Sequence, residues 1–141
     1  LKQYVDQDAW VASATLGVAE MAAAGITTIG DAGDTGAGVS ALIASGLRGI
    51  VFREVFGIER EPAVPVVLDV LKRRLAAMRT QILRAGAGDR IALGISPHAV
   101  YTVRPELFAA LGAHAAAEGY LQTIHADESP AEEALLRVGA G

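Results

Sequence analysis

Helical and β-prone segments alternate along this chain from end to end, in the order α-β-α-β-α-β-α-β-α. Strands separated by helices are not joined as hairpins; they lie parallel, linked by right-handed crossovers. Two architectures satisfy that rule: an open doubly wound sheet, and part of a (β/α)8 TIM barrel. The alternation alone does not choose between them. No shift in composition and no low-complexity tract divides the sequence, so residues 1–141 read as a single unit of α/β class.

Asp8 is the expected cap of a first helix over residues 9–24, with Trp10, Ala14, Gly17 and Met21 on one face and Gly25 as its left-handed stop. The β-branched run 26–31 follows. The glycines of segment 33–38 are ordered Gly-x-x-Gly-x-Gly and no lysine follows them, so this is a βα loop rather than a nucleotide fingerprint. Residues 39–44 form a short helix, and 49–57 a nearly continuous apolar strand suited to cover on both faces. Arg53 and Glu54 interrupt that strand. With a period of two, one of them points inward, either to pair across the sheet or, for Glu54, to line a pocket.

Pro62 and Pro65 introduce the longest helix, residues 66–85, with Val67, Val70, Leu71, Leu75, Met78 and Ile82 as its apolar stripe. A third strand runs over 91–98, and a helix from Pro105 through Glu118 stops at Gly119. Arg104 stands at the cap of that helix, where Ser or Thr would serve better, so a slightly weakened helix start is expected. His114 shares a face with Leu107, Ala110 and Leu111 and reads as a packing histidine.

The chemistry concentrates where two strands end alike. Residues 91–98 climb through Ile-Ala-Leu-Gly-Ile-Ser-Pro to His98, and residues 121–125 through Leu-Gln-Thr-Ile to His125, with Glu128 three positions later and Ser129-Pro130 opening a helix. In parallel α/β sheets the carboxyl ends of strands face the crevice where ligands sit. Neighbouring strands therefore aim two imidazoles at one pocket. His125 is a candidate metal ligand and Glu128 a candidate proton carrier. Each has a structural alternative: a hydrogen-bonded strand-end histidine, and a first-turn carboxylate suited to the helix dipole, as for Glu132 and Glu133.

With no cysteine, only His, Asp and Glu can ligate a metal, and disulfides are excluded. A net charge of −4 with scattered Lys and Arg argues against nucleic acid or an anionic membrane surface, and favours a small neutral or cationic molecule. Apolar stretches are all shorter than the roughly 18 residues of a membrane span. Residues 1–6 lack the pattern of a signal peptide, and a cytoplasmic location is the expectation.

Four blocks in order carry a resemblance: Ala-Gly-Ile-Thr-Thr-Ile-Gly-Asp at 24–31, Gly-Leu-Arg-Gly-Ile-Val-Phe-Arg-Glu-Val-Phe-Gly at 46–57, Ser-Pro-His-Ala-Val-Tyr-Thr-Val at 96–103 and Ile-His-Ala-Asp-Glu-Ser at 124–129. Together they resemble the amidohydrolase superfamily, in the branch of S-adenosylhomocysteine and adenosine-type deaminases, aminodeoxyfutalosine deaminases and triazine chlorohydrolases. The resemblance implies part of a (β/α)8 barrel, about strands two to five, and hence an internal piece of a larger protein. The inward faces of its strands would carry alternating apolar residues such as Ile91, Leu93 and Ile95, or their neighbours.

By motif, the resemblance makes His125 the metal ligand of the fifth barrel strand, Glu128 the acid/base, and His98 a substrate contact; Glu54, where it lines the pocket, is a further substrate-binding candidate. The other ligands, a His-x-His pair and a strand-ending Asp, would lie outside this chain. It implies a divalent metal, zinc or alternatively iron, that makes hydroxide available from water for attack on an sp² carbon. The implied activity is deamination of a purine-like or other N-heterocyclic small molecule, compatible with a homo-oligomer. The alternatives are a chlorohydrolase or cyclic-amide hydrolase of the same superfamily, and a non-enzymatic open-sheet α/β binding module.

Overall fold

A computed structural model describes residues 5–139; residues 1–4, on which the reading of the chain start rests, and residues 140 and 141 lie outside them. The elements are α1 (Gln7–Ala23), β1 (Thr28–Gly33), α2 (Ala37–Ser45), β2 (Arg48–Val55), α3 (Val64–Arg84), β3 (Ile91–Pro97), α4 (Pro105–Glu118), β4 (Leu121–Gln122) and α5 (Pro130–Val138). All strand pairs are parallel and the sheet order is β1-β2-β3-β4. A sequential order with right-handed crossovers puts the connecting helices on one face of the sheet, as in consecutive units of a (β/α)8 barrel. A doubly wound sheet needs a reversal of order, and the sheet has none.

The core follows from that layering. Ile29, Val51 and Ile91 are buried with Val39 and Leu42 of α2 and with Met78 and Ile82 of α3. Val55 and Ile95 are buried with Leu71 and Leu75 of α3 and with Leu107 and Leu111 of α4. Alternation along the strands then turns Ile50, Phe52 and Glu54 of β2, with Ala92, Gly94 and Ser96 of β3, to the opposite face. Phe52 lies flat across this face: a Cβ on Gly94 would come within 2.4 Å of its ring, and one on Gly30 within 3.7 Å. Of the two sets the sequence allowed on the open face, the neighbours of Ile91 and Ile95 take it; at 4% and 0% exposure Ile91 and Ile95 themselves lie under the helices.

Local chemistry corrects several boundaries. The cap of α1 is Asp6 rather than Asp8: its carboxylate accepts from the Ala9 N–H at 2.7 Å, and Asp8 falls in the first turn. Val18, not Met21, is the buried residue of α1. Helix α2 begins at Ala37 because Gly36, at φ 77°, turns the chain into it, so the glycine-rich loop is short. The stripe of α3 is buried at Leu71, Leu75, Met78 and Ile82, while Val70 is at the rim. Helix α4 spans the residues expected, ending at Gly119 with φ 72°. The last strand is shorter than expected; beyond Gln122 a single bridge joins His125 to Ala99.

Arg104 does leave α4 without a side-chain cap. Its guanidinium is buried and spans the preceding loop, donating to the carbonyls of Gly57 at 3.2 Å, Pro62 at 2.8 Å and Glu59. The planar fork holds its donors in fixed, spread directions, which the compact rotatable ammonium of a lysine does not. Arg104→Ala should lower unfolding free energy by about 3 kcal/mol, since hydrogen bonds to a charged group contribute roughly 1.5–3 kcal/mol each and the carbonyls would lose their partner. Urea unfolding measures this. A loss below about 0.5 kcal/mol, the range of an ordinary surface substitution, would contradict it.

Candidate functional site

Parallel pairing gathers the strand ends at one rim. Glu54 lies opposite Ser96 in the β2–β3 register, and the Val55 carbonyl accepts from the His98 N–H at 3.1 Å. The His98 carbonyl in turn accepts from the His125 N–H at 2.9 Å. Backbone hydrogen bonding thus carries three elements to a common level, and their side chains meet there. The ligand atoms of Glu54, His98 and His125 all lie within 4.8 Å of one another. His125 Nε2 is 3.1 Å from Glu54 Oε1, with the Glu54 side chain 9% and the His125 side chain 40% exposed. The two imidazole centroids are 5.2 Å apart, and Phe56 stacks on His98 at 4.3 Å.

The tautomer of His98 follows from its neighbour. Thr102 Oγ1 donates to the Ala99 carbonyl at 3.2 Å and lies 2.8 Å from His98 Nδ1. With the hydroxyl proton so placed, Nδ1–H donates to Thr102 and Nε2 keeps a free lone pair. Glu128 stands outside the three-residue cluster on the loop before α5, exposed, and accepts from the Tyr101 hydroxyl. That loop is held from below. The buried Glu132 carboxylate accepts from the N–H groups of Asp127 at 3.1 Å and Glu128 at 2.7 Å, and Ser129 Oγ accepts from the Glu132 N–H at 3.2 Å. Asp127 is left-handed at φ 62°, an unfavourable conformation for a side-chain-bearing residue, fixed by those bonds.

The sequence reading thus finds its four site residues at one rim, with Glu54, His98 and His125 together and Glu128 beside them. Of the two roles expected for Glu54, the structure shows the pairing across the sheet end, to His125. His114 is elsewhere, half-buried with its ring 6.1 Å from that of Tyr120. The sequence reading gives Tyr101 and Thr102 no role at the site and reads Glu132 as a first-turn carboxylate of α5, which it is, without its part in holding the loop. For Glu132 a signal existed: Ser129-Pro130-Ala131-Glu132 fits the capping-box pattern, with a serine at the cap and a glutamate three residues on.

Electrostatics single out Asp31 on β1. Its carboxylate fills the space a Cβ on Gly38 would need. Burial, and secondarily the Glu54 carboxylate, push its pKa above the usual range. A raised carboxyl pKa contributes stability below the unfolded value near about 4, and that contribution is lost as pH rises through the folded value. Ionised Asp31 therefore opposes folding at neutral pH. Asp31→Asn should raise the melting temperature at pH 7 and do so less near pH 4; a lower midpoint at pH 7 would contradict this.

Comparison with known proteins places this geometry. A model of the amidohydrolase family matches residues 1–140. Over 68 residues the chain is 40% identical to the aminodeoxyfutalosine deaminase of Deinococcus radiodurans, covering 47% of this chain and 16% of that protein. In structure it resembles an adenosine deaminase from Xanthomonas campestris with bound zinc, at TM-score 0.76 and 18% identity over 98% of this chain and 31% of the other. It also resembles Helicobacter pylori aminofutalosine deaminase in complex with methylthio-coformycin, at TM-score 0.68 and 18% identity, over 90% and 29%. The chain thus spans less than a third of the length of each, and its parallel sheet with flanking helices matches a segment of these barrel deaminases. The chain belongs to the amidohydrolase family.

Proposed function

We propose that this chain supplies part of the active site of a metal-dependent aminohydrolase that releases ammonia from a purine-like or other N-heterocyclic amine. The observation that carries this reading is the convergence of Glu54, His98 and His125 at the strand ends, with Glu128 beside them. A carboxylate and two imidazoles form a donor set suited to zinc, and equally to iron. Tetrahedral bonds of roughly 2.0–2.2 Å set two ligand atoms of one ion about 3.3–3.6 Å apart, so three atoms within 4.8 Å of one another close on a cation by side-chain shifts of up to about 1.5 Å. When bound, the cation supplies water of lowered pKa as a nucleophile near neutral pH.

The chain's own residues do the rest. Glu128, oriented by Tyr101, moves a proton to a ring nitrogen and then to the leaving amine. His98, its Nε2 unprotonated, either ligates beside His125 or accepts from the substrate's polar edge. Phe56, stacked on His98, offers a flat apolar wall to a heteroaromatic ring. The 40% identity to an aminodeoxyfutalosine deaminase supports an aminated ring over a chlorinated one.

The test uses the full-length protein. Purified with divalent metal, it should release ammonia from adenine-type nucleosides, and His125→Ala should lose metal and activity together. Absence of bound divalent metal, or chloride release from chlorinated triazines with no ammonia from any amine, would overturn the reading.

A further inference from the structure

Ser96 stands at the rim outside the donor set and the proton path. It is 0% exposed, and its hydroxyl is the buried side-chain polar atom that lacks a hydrogen-bond partner among the described residues. A buried orphan of this kind is uncommon in a folded protein and calls for a partner supplied under other conditions. Its position says which. Ser96 pairs with Glu54 in the β2–β3 register, on the same face of two strands about 4.8 Å apart, so its hydroxyl and the carboxylate are cross-strand neighbours. Among the described residues the carboxylate of Glu54 has one hydrogen bond, through Oε1 to His125 Nε2.

That bond and metal binding exclude each other at the same nitrogen. An imidazole nitrogen that donates a proton to a carboxylate cannot also give its lone pair to a cation. A cation held through His125 Nε2 therefore breaks the Glu54–His125 bond and frees the carboxylate to ligate through one oxygen, with the other oxygen open to a donor. We propose that Ser96 is the positioning residue for Glu54: its hydroxyl, unpartnered beside the Glu54–His125 pair, donates to the Glu54 carboxylate when a divalent cation occupies the site, and so sets metal affinity. This rests on the metal reading given above. It accounts for a serine whose hydroxyl contributes nothing to the metal-free fold, and outer hydrogen bonds of this kind hold ligating carboxylates in orientation.

Zinc affinity by chelator competition and melting of the metal-free form, both on the full-length protein, test the inference. Ser96→Ala should weaken zinc binding by about 10–100-fold and leave the metal-free melting temperature unchanged or higher, since it deletes an unpaired buried group. A purely structural serine would give the opposite pair of results, a lower melting temperature with unchanged affinity, and that outcome overturns the proposal. So does Ser96→Ala that binds zinc within twofold of the parent. Glu54→Ala should weaken zinc binding as well; if it leaves affinity unchanged while Ser96→Ala lowers it, Ser96 does not act through Glu54. A parent protein that binds no zinc is a separate result, and removes the metal reading together with this one.

Discussion

Glu128→Gln in the full-length protein is expected to reduce turnover by about 10²–10⁴-fold while leaving metal content unchanged, the range contributed by a positioned general acid/base. The two halves of this expectation come from different observations. Glu128 lies outside the cluster of ligand atoms formed by Glu54, His98 and His125, so its amide analogue removes no ligand. Its carboxylate is instead the acceptor of the Tyr101 hydroxyl, and that contact, with burial and the neighbouring carboxylates, pushes the Tyr101 pKa upward and keeps the phenol a donor across the neutral range. Glutamine preserves size and can still accept from Tyr101, but it cannot take up and release a proton. The backbone beneath it is fixed by Glu132 rather than by Glu128 itself, so the loop should not collapse. Metal analysis and steady-state kinetics on the same preparation decide the matter: near-normal turnover removes Glu128 from proton transfer, and lost metal makes it a ligand.

What the sequence made legible here is what depends on short-range periodicity and strand ends. His98 and His125 could be placed because each closes a β-prone run, and in a parallel sheet that position leads to one rim. Alternation does not encode the choice between a doubly wound sheet and a barrel segment; the four resembling blocks implied the barrel, and the strand order bears it out. The pairing of Glu54 with His125 was equally hidden: the residues are 71 positions apart, and only the β2–β3–β4 register brings them to 3.1 Å. The facing of Ile91 and Ile95 stayed open between them and their neighbours because β3 is apolar on both sides, Ala92 and Gly94 alternating with them, so periodicity gives no sign of which set the helices cover. The cap of α1 was missed by two residues because Asp6 and Asp8 both precede the same apolar pattern, and only backbone geometry tells a cap from a first-turn carboxylate.

The purified 141-residue chain by itself is expected to self-associate, because one face and both edges of its sheet have nothing to pack on among the described residues. Strands β1 and β4 are each paired on one side only, leaving N–H and C=O groups of Thr28–Gly33 and Leu121–Gln122 available to another strand. The face opposite the helices carries Ile50 and Phe52, both only partly covered, while exposed Leu121 extends the apolar surface to the edge. Contiguous apolar area of this kind is rarely left open on a monomer, and association is the simplest way to cover it. The helix side should contribute less, since Leu75, Leu107 and Leu111 are almost wholly buried there and the exposed Leu16, Leu83 and Phe108 stand on three different helices. Light scattering should therefore report oligomers or aggregates, with helical circular dichroism, a broad thermal transition and strong binding of a hydrophobic dye. Replacing Phe52 by serine should lessen dye binding, because that ring is the largest apolar group on the open face. A monodisperse monomer with a single sharp calorimetric transition and no dye binding would show that the open face is covered in solution by the chain itself, and the inward-facing assignment of Ile50, Phe52 and Ser96 would fall with it.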